Sequence, residues 1–145
     1  MTDRAENGVA QAPACVFCGV IDGVVPSRVV REDEHTVAFL DINPAAPGHT
    51  LVVPRLHVRT LAEADTATAG AVFAAASEVA RLLRDQLAPD GLTVFQANER
   101  AGWQDVFHLH VHLVPRLHGD ALTPPWVPEP GDPHQLDATL ARLLT

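Results

Sequence analysis

Apolar and polar residues alternate along several short segments of the chain, and this period of two predicts β-strands. The first two segments flank an acidic turn at 32–34, and the third ends at Pro54. Within each segment, side chains at every second position are expected to share one face of a sheet. The predicted strands are RVVRED (28–33), TVAFLD (36–41), HTLVVP (49–54), LTVFQAN (92–98) and FHLHVHLVPR (107–116).

One long segment has a helical period instead. Its apolar residues recur at spacings of three and four within an alanine-rich stretch, which predicts a helix that ends near APDG (88–91). Thr60 followed by Glu63 matches a capping box, so we expect the helix to begin there. The residues of its predicted buried face are Val72, Ala76, Val79 and Leu83.

Strands in hairpin-like succession around one long helix predict an α+β fold with an antiparallel sheet of about five strands, not alternating βαβ units. VFCGVIDG (16–23) predicts one short helical turn. We expect residues 1–13 to be a flexible tail, 14–117 to be the domain, and 118–145 to be a proline-rich extension. Leu136, Leu140 and Leu143 predict a short helix at the end of that extension.

The chain has 145 residues and a formal net charge of −8, from 18 acidic and 10 basic residues. The length predicts a single domain, and the charge argues against a protein that binds a nucleic-acid backbone. No apolar run approaches the roughly 20 residues of a membrane helix. The first 14 residues also lack the basic and apolar regions of a secretion signal. We therefore expect a cytoplasmic protein with no membrane partner.

Three histidines stand at every second position of the last predicted strand, so His108, His110 and His112 are expected on one face. Imidazole titrates near neutral pH, attacks electrophiles and binds metals, so three rings in register indicate chemistry more than a solvated surface. The alternate positions, which are expected in the core, are Phe107, Leu109, Val111 and Leu113.

Three kinds of chemistry fit this row of imidazoles. Two rings and a third ligand could hold a catalytic zinc ion. Alternatively, one ring could be a nucleophile whose neighbours orient it and handle protons, or the row could bind a ligand without reacting. At ~3.3 Å per residue, His108 and His112 start roughly 13 Å apart, so one metal would collect all three rings only if the strand bent strongly. We expect the histidines to divide their roles.

The two cysteines, Cys15 and Cys18, form a CxxC pair. A redox motif of the thioredoxin type is poorly supported because no strand precedes the pair. The spacing suits a zinc site, which needs two further ligands. His57 and His108 stand at strand ends from which they could reach the cysteines. The alternative is that the two small side chains only pack in a core.

The segment HLHVHLVP resembles the signature of the histidine triad (HIT) superfamily. CVFCGVIDG, VAFLDINPAAPGHTLVVPRLH and AGWQDVFHLHVHLVPR resemble, in the same order, blocks of the branch that hydrolyses nucleoside phosphoramidates. Together these blocks frame residues 14–116. The resemblance implies a small α+β domain that is usually a homodimer. It also implies that a purine nucleotide binds with its α-phosphate beside the triad, and that no catalytic cofactor is required.

The resemblance also assigns roles to residues at matching positions. It implies that His110 is the nucleophile, that His112 contacts the phosphate and that His49 supports the pair. It implies that Asp41 binds the ribose hydroxyls and that both cysteines bind a structural zinc ion together with His57 and His108. Base contacts are implied for Phe17, Val20, Phe39 and Ile42, and phosphate contacts for Asn98 and Gln104.

Two positions depart from the family pattern. Trp103 stands where many members have glycine, and Asp105 where Ser, Thr or Glu is common. Asp105 is expected either to face away from an anionic substrate or to help protonate a leaving group. Competing functions are the hydrolysis of dinucleoside polyphosphates, metal-dependent hydrolysis, and a regulatory role in which the nucleotide binds without reacting.

Overall fold

The computed structural model describes residues 14–145, so the predicted tail at 1–13 lies outside the described residues. It contains one five-stranded sheet in the order β1-β2-β3-β5-β4, and all neighbouring strands are antiparallel. The strands are β1 (Val29–Glu32), β2 (Thr36–Leu40), β3 (Thr50–Pro54), β4 (Gly91–Gln96) and β5 (Val111–Arg116). The predicted antiparallel sheet is confirmed.

Three α-helices complete the fold of residues 14–145, which confirms the predicted α+β class. They are α1 (Val16–Ile21), α2 (Thr66–Leu87) and α3 (Pro133–Leu143). No helix among residues 14–145 is both long enough and apolar enough to cross a bilayer.

The predicted start of the long helix is wrong. Thr60 Oγ1 does accept from the backbone N–H of Glu63 at 3.4 Å, but this contact closes only an isolated turn. The helix begins later, because Asp65 is extended and its carboxylate accepts from the N–H of Thr68 at 2.7 Å. At the other end, Ala88 has a left-handed conformation (φ 45°), so the helix ends close to the predicted position.

The sheet separates two apolar clusters, because successive side chains of a strand point to opposite faces. On one face, α2 packs against the sheet through the four predicted positions, all of which are buried. On the other face, α1 packs against β2 and β3 through Phe17 and Val20. The second face carries His112, since this residue pairs with Leu51 of the same face.

The histidine segment is less regular than predicted, because β5 begins at Val111 and not at Phe107. The N–H of Leu109 donates to the carbonyl of Val58 at 2.7 Å, beyond the end of β3. Leu109, like Val111, is buried against α2 as predicted. Phe107 is wrong as a core position: it is half-buried, and Arg59 and Arg100 lie 5.2 and 5.4 Å from its ring centroid.

Candidate active site and zinc site

The three histidines face two different sites. His108 lies with the cysteines, whereas His110 and His112 line a cavity on the α1 face of the sheet. The ring of Phe17 stands between the two sites, edge-on to His110 at 5.0 Å and to His108 at 6.1 Å between centroids. The predicted division of roles therefore has a structural counterpart.

At the first site, the backbone holds one ring nitrogen of His108. Its Nε2–H donates to the carbonyl oxygen of Pro54 at 2.8 Å, and because a carbonyl only accepts, Nδ1 is left with a lone pair. That nitrogen lies 3.5 Å from Sγ of Cys15, 3.7 Å from Sγ of Cys18 and 3.1 Å from Nδ1 of His57. Histidines that bind a metal through one ring nitrogen usually donate the N–H of the other nitrogen to an acceptor of this kind.

The four donor atoms have the spacing of a tetrahedral zinc site. Bonds of about 2.3 Å to sulfur and 2.0–2.1 Å to nitrogen would place ligand atoms roughly 3.3–3.8 Å apart. Three of the four sulfur–nitrogen distances are 3.4–3.7 Å, and all four donors lie within 4.8 Å of one another. Burial, assisted by the neighbouring thiol of Cys15, raises the pKa of Cys18 to about 12, so its thiolate requires a nearby cation. The predicted quartet is thus assembled and fits zinc.

At the second site, His110 is held by its own segment. Its Nδ1–H donates to the carbonyl oxygen of His108 at 2.6 Å. The proton is therefore on Nδ1, and Nε2 keeps its lone pair. Oδ1 of Asp105 lies 3.6 Å from this Nε2. His110 lines the cavity, although only 2% of the residue is exposed.

A chain of hydrogen bonds fixes His112 in the opposite tautomer. The N–H of Ala45 donates to Nδ1 of His49 at 3.0 Å, so the proton of neutral His49 is on Nε2. This Nε2–H donates to Nδ1 of His112 at 2.9 Å and lies 3.6 Å from Oδ2 of Asp41. The proton of neutral His112 is consequently on Nε2. At this site, Nε2 of His110 therefore offers a lone pair, and Nε2 of His112 offers an N–H.

Burial keeps both supporting rings neutral. It lowers the pKa of His112 to about 4, helped by repulsion from His110 and His49. It also lowers the pKa of His49, against an opposing effect of Asp41. The ring of His112 further stacks on Phe95, with centroids 4.1 Å apart and planes at 8°. The donor and acceptor roles of the two rings are thus set at neutral pH.

The position of His49 depends on the turn before β3. Gly48 has φ of 90°, and an added Cβ would lie 2.5 Å from Cδ1 of Leu87 and 3.1 Å from Cγ of Pro115. Only glycine suits this conformation and this close approach. The turn therefore fixes where His49 enters the sheet.

The cavity beside these rings has a volume of about 160 Å³ and mostly apolar walls. A sequence model described as HIT domain matches residues 22–119 of the chain. The chain belongs to the HIT family. Cys15 and Cys18 precede the matched region, so the model itself does not cover that half of the metal cluster.

Several solved structures resemble this one. The crystal structure of SMU.412c from Streptococcus mutans UA159 has a TM-score of 0.89 and 39% identity, covering 94% of this chain and 87% of that chain. A Zn-bound histidine triad family protein from Mycobacterium smegmatis has a TM-score of 0.73 and 36% identity, covering 90% and 95%. Among curated relatives, Adenylylsulfatase HINT3 of Arabidopsis thaliana is 32% identical over 122 residues, which are 84% of this chain and 60% of the relative.

The HIT fold brings most of the predicted nucleotide-site residues to the cavity. Phe17 and Val20 come from α1 and Phe39 from β2. Asp41 and the exposed Ile42 follow at the end of β2, and Oδ1 of Asp41 accepts from the N–H of Asn43 at 2.8 Å. Residues of the segment after α1 form a further wall of the cavity, and the sequence analysis did not predict this. The proline of that segment indicated only a loop. Those residues are Val25, Pro26 and Ser27.

Two predicted phosphate contacts lie elsewhere in the HIT domain, outside the residues that line the cavity. The amide of Gln104 donates to the carbonyls of Arg59 and Val106 at 2.7 and 3.1 Å and accepts from the N–H of Glu99 at 2.8 Å. Asn98 accepts from the N–H of Leu61 at 2.8 Å and exchanges hydrogen bonds with Gln96. Both side chains hold the loop before the triad, so we assign neither of them a contact with the phosphate.

Proposed function

We propose that this HIT protein hydrolyses a purine nucleoside 5′-phosphoramidate, or a similar adduct, at its α-phosphorus through a nucleotidyl intermediate on His110. The observation that carries the proposal is the pair of opposite tautomers at the cavity. His110 has an unprotonated Nε2, and His112 has its proton on Nε2. A nucleophile beside a donor for a phosphoryl oxygen is what this reaction requires.

In the first half-reaction, Nε2 of His110 forms a bond to phosphorus while the bond from phosphorus to the leaving nitrogen breaks. That nitrogen first takes a proton from solvent, keeps the electron pair of the broken bond and leaves as a neutral amine. The Nδ1–H of His110 remains bonded to the carbonyl of His108 at 2.6 Å. The dipole of this carbonyl group stabilises the positive charge that develops on the ring of His110.

In the second half-reaction, water bonds to phosphorus, the bond to Nε2 breaks, and the ring regains its lone pair. The products are the nucleotide and a free His110, with the proton of water released to solvent. His112 donates to a phosphoryl oxygen throughout. His49 keeps that donor oriented, and Asp41 stabilises partial charge on His49 at 3.6 Å.

The apolar walls of the cavity suit a purine base. Phe17 and Phe39, whose centroids are 5.4 Å apart, form one wall together with Val20 and Ile42. Asp41 stands at the border of these walls and the histidines, where a ribose would join base to phosphate. We assign it to the ribose hydroxyls, since a carboxylate accepts two hydrogen bonds from a diol.

A structural zinc ion fits the quartet of Cys15, Cys18, His57 and His108. When bound, it supplies a crosslink between α1, the end of β3 and the start of the triad. His108 links the two sites, because its side chain is a donor to the metal site and its carbonyl accepts from the proposed nucleophile. Zinc is therefore assigned to folding, and the reaction needs no catalytic cofactor.

We also propose that the protein is a homodimer in the cytoplasm. The edge strand β4 is six residues long and uncharged, and Val94 and Phe95 are 47% and 41% exposed. The other edge, β1, is four residues long, irregular and charged at Arg31 and Glu32. An open apolar edge invites pairing with a second copy, whereas a short charged edge prevents it. A cytoplasmic location agrees with two free cysteines.

The similarity to an adenylylsulfatase of Arabidopsis thaliana supports a hydrolase that acts on a nucleotide. The direct test is to incubate the protein with a labelled adenosine phosphoramidate, quench in mild base and map the adduct by mass spectrometry. We expect label on His110 only. His110→Gly should lose turnover and regain part of it with added imidazole, while His118→Ala, at an exposed turn, should behave as wild type. Full activity of His110→Gly without imidazole would exclude the mechanism.

A further inference from the structure

A carboxylate stands beside the nitrogen that the proposed reaction uses. Oδ1 of Asp105 lies 3.6 Å from Nε2 of His110 and also accepts from the N–H of Val106 at 2.8 Å. The side chain is 80% exposed, so its charge faces the solvent side of the site. The sequence left open whether Asp105 faces away from the substrate or stands beside the leaving group. In the structure Asp105 stands beside His110, at the side of the site that is open to solvent.

Among residues 14–145, no arginine lines the cavity to balance this charge. Its lining residues include two carboxylates, Asp41 and Asp105, but no arginine. The whole sequence has no lysine, so all 10 of its basic residues are arginines. Arg59 and Arg100 lie over the ring of Phe107 and do not line the cavity. Sites for polyphosphates normally supply lysine, arginine or a divalent cation to the leaving phosphates.

Space for the leaving group exists on the far side of Asp105. A second cavity of about 300 Å³ is bounded by Asp105 and Phe107 and by His57 of the metal cluster. Asp105 lines both this cavity and the nucleotide cavity. A substituent that extends from the α-phosphate toward the second cavity therefore passes the carboxylate.

We infer that Asp105 sets the leaving-group preference of the enzyme, favouring amines, above all amines with a further positive charge, and disfavouring carboxylate-bearing and polyphosphate leaving groups. This inference rests on the proposed function, since it concerns the group that His110 displaces. The carboxylate attracts a positive charge and repels a negative charge on a leaving group that passes it. Asp105 is thus a specificity residue for the departing half of the substrate.

Asp105 forms and breaks no covalent bond in the chemical step. Solvent supplies a proton to the bridging nitrogen, and the negative carboxylate stabilises the resulting N–H⁺. The P–N bond then breaks with its electron pair going to nitrogen, while Nε2 of His110 bonds to phosphorus. The amine leaves neutral and takes a second proton from solvent. A phosphate leaving group would instead gain negative charge beside Asp105.

The test uses three adenosine 5′-phosphoramidates that differ only in the charge of the amine substituent. Their amines are ethylenediamine (cationic), ethylamine (neutral) and glycine (anionic). The value of kcat/KM is measured for each with wild type, Asp105→Asn, Asp105→Glu and Asp85→Asn. Asp85 is a matched control, because it is an exposed aspartate on α2, which packs on the opposite face of the sheet.

We expect wild type to prefer the cationic over the anionic amine. In Asp105→Asn this ratio should fall about tenfold, because the two amines differ by two charges and each charge roughly 6 Å from a solvent-exposed carboxylate changes the rate about threefold. Asp105→Glu and Asp85→Asn should keep the ratio. If Asp105→Asn turns over all three substrates with the wild-type ratio, the inference is wrong and the proposed function stands. If wild type turns over none of them, the proposed function fails and this inference fails with it.

Discussion

The Nε2–H of His49 donates to Nδ1 of His112 across 2.9 Å. This bond joins the residue that precedes β3 to a residue of β5, and it leaves the proton of His112 on the nitrogen that is free to meet a phosphoryl oxygen. Because the tautomer of His112 depends on His49, the first prediction concerns a residue that need not contact the phosphorus.

His49→Phe should lower kcat about 10- to 100-fold, less than the roughly 100- to 1,000-fold cost of removing a donor at a developing charge, because His112 itself remains. The substitution retains an aromatic ring but cannot donate to Nδ1 of His112. Steady-state kinetics on an adenosine phosphoramidate checks this, with the exposed His35→Phe as control. Wild-type kcat in His49→Phe would show that the hydrogen-bonded chain does not orient His112.

The second prediction is that acid destabilises the protein partly through His112. Its pKa is lowered to about 4 by burial, below the ordinary value of 6.5, so between these values the unfolded chain binds the proton more readily. The stabilising effect of the neutral ring is complete above pH 6.5 and is lost as the pH falls through that window. Allowing for the partial exposure of the ring and solvent screening, we expect about 1 kcal/mol between pH 7 and pH 5.

The measurement compares urea unfolding of wild type and His112→Gln, both loaded with zinc, at pH 7 and pH 5. The loss of unfolding free energy on acidification should be smaller in the variant. Because the two proteins differ only at residue 112, the difference between their losses reports on this residue. Equal losses would mean that His112 has an ordinary pKa.

The third prediction concerns metal removal. Stripping zinc, or replacing Cys18 with Ser, should lower the melting temperature by about 10 °C or more, since structural zinc contributes several kcal/mol to small domains. Metal analysis of the wild type should give one zinc per chain. The fraction that remains folded without zinc should still form the adduct on His110. Immediate loss of turnover with an unchanged melting temperature would instead indicate a catalytic metal.

The alternation of His108 to Leu113 predicted the buried strand positions, because the period of two depends only on an extended backbone. The start of β5 could not be predicted the same way. It depends on the N–H of Leu109 pairing with Val58, a residue 51 positions earlier in the chain. The capping box at Thr60 failed for a related reason: it stabilises any helical turn, and the next cap, at Asp65, starts the long helix.

The quartet of Cys15, Cys18, His57 and His108 could be predicted because the chain has only two cysteines and their CxxC spacing is characteristic of zinc sites. Gln104 illustrates the opposite case. A polar loop residue next to a phosphate site can face the ligand or its own backbone, and the sequence does not distinguish these. Its three hydrogen bonds depend on where Arg59 and Glu99 lie in the folded loop.

The fourth prediction follows from those hydrogen bonds. Gln104→Ala should cost about 1–2 kcal/mol of stability, because it removes the partly buried hydrogen bonds between the Gln104 amide and the backbone of Glu99 and Arg59. Urea unfolding measures this, with the exposed Gln86→Ala as control. If Gln104 instead bound the phosphate, the variant would keep its stability and lose turnover through a raised KM.

The last prediction tests the edge of the sheet through which two copies would pair. Val94 on β4 and Val29 on β1 are matched, since both are valines on edge strands and are 47% and 49% exposed. If β4 forms the interface, Val94→Arg should convert the protein from a dimer of about 31 kDa, twice the 15.5 kDa of one chain, to a monomer, whereas Val29→Arg should remain dimeric. Light scattering after gel filtration separates these masses. Because Phe95 stacks on His112, the monomeric variant should also lose turnover as the strand loosens, and a dimeric Val94→Arg would place the interface elsewhere.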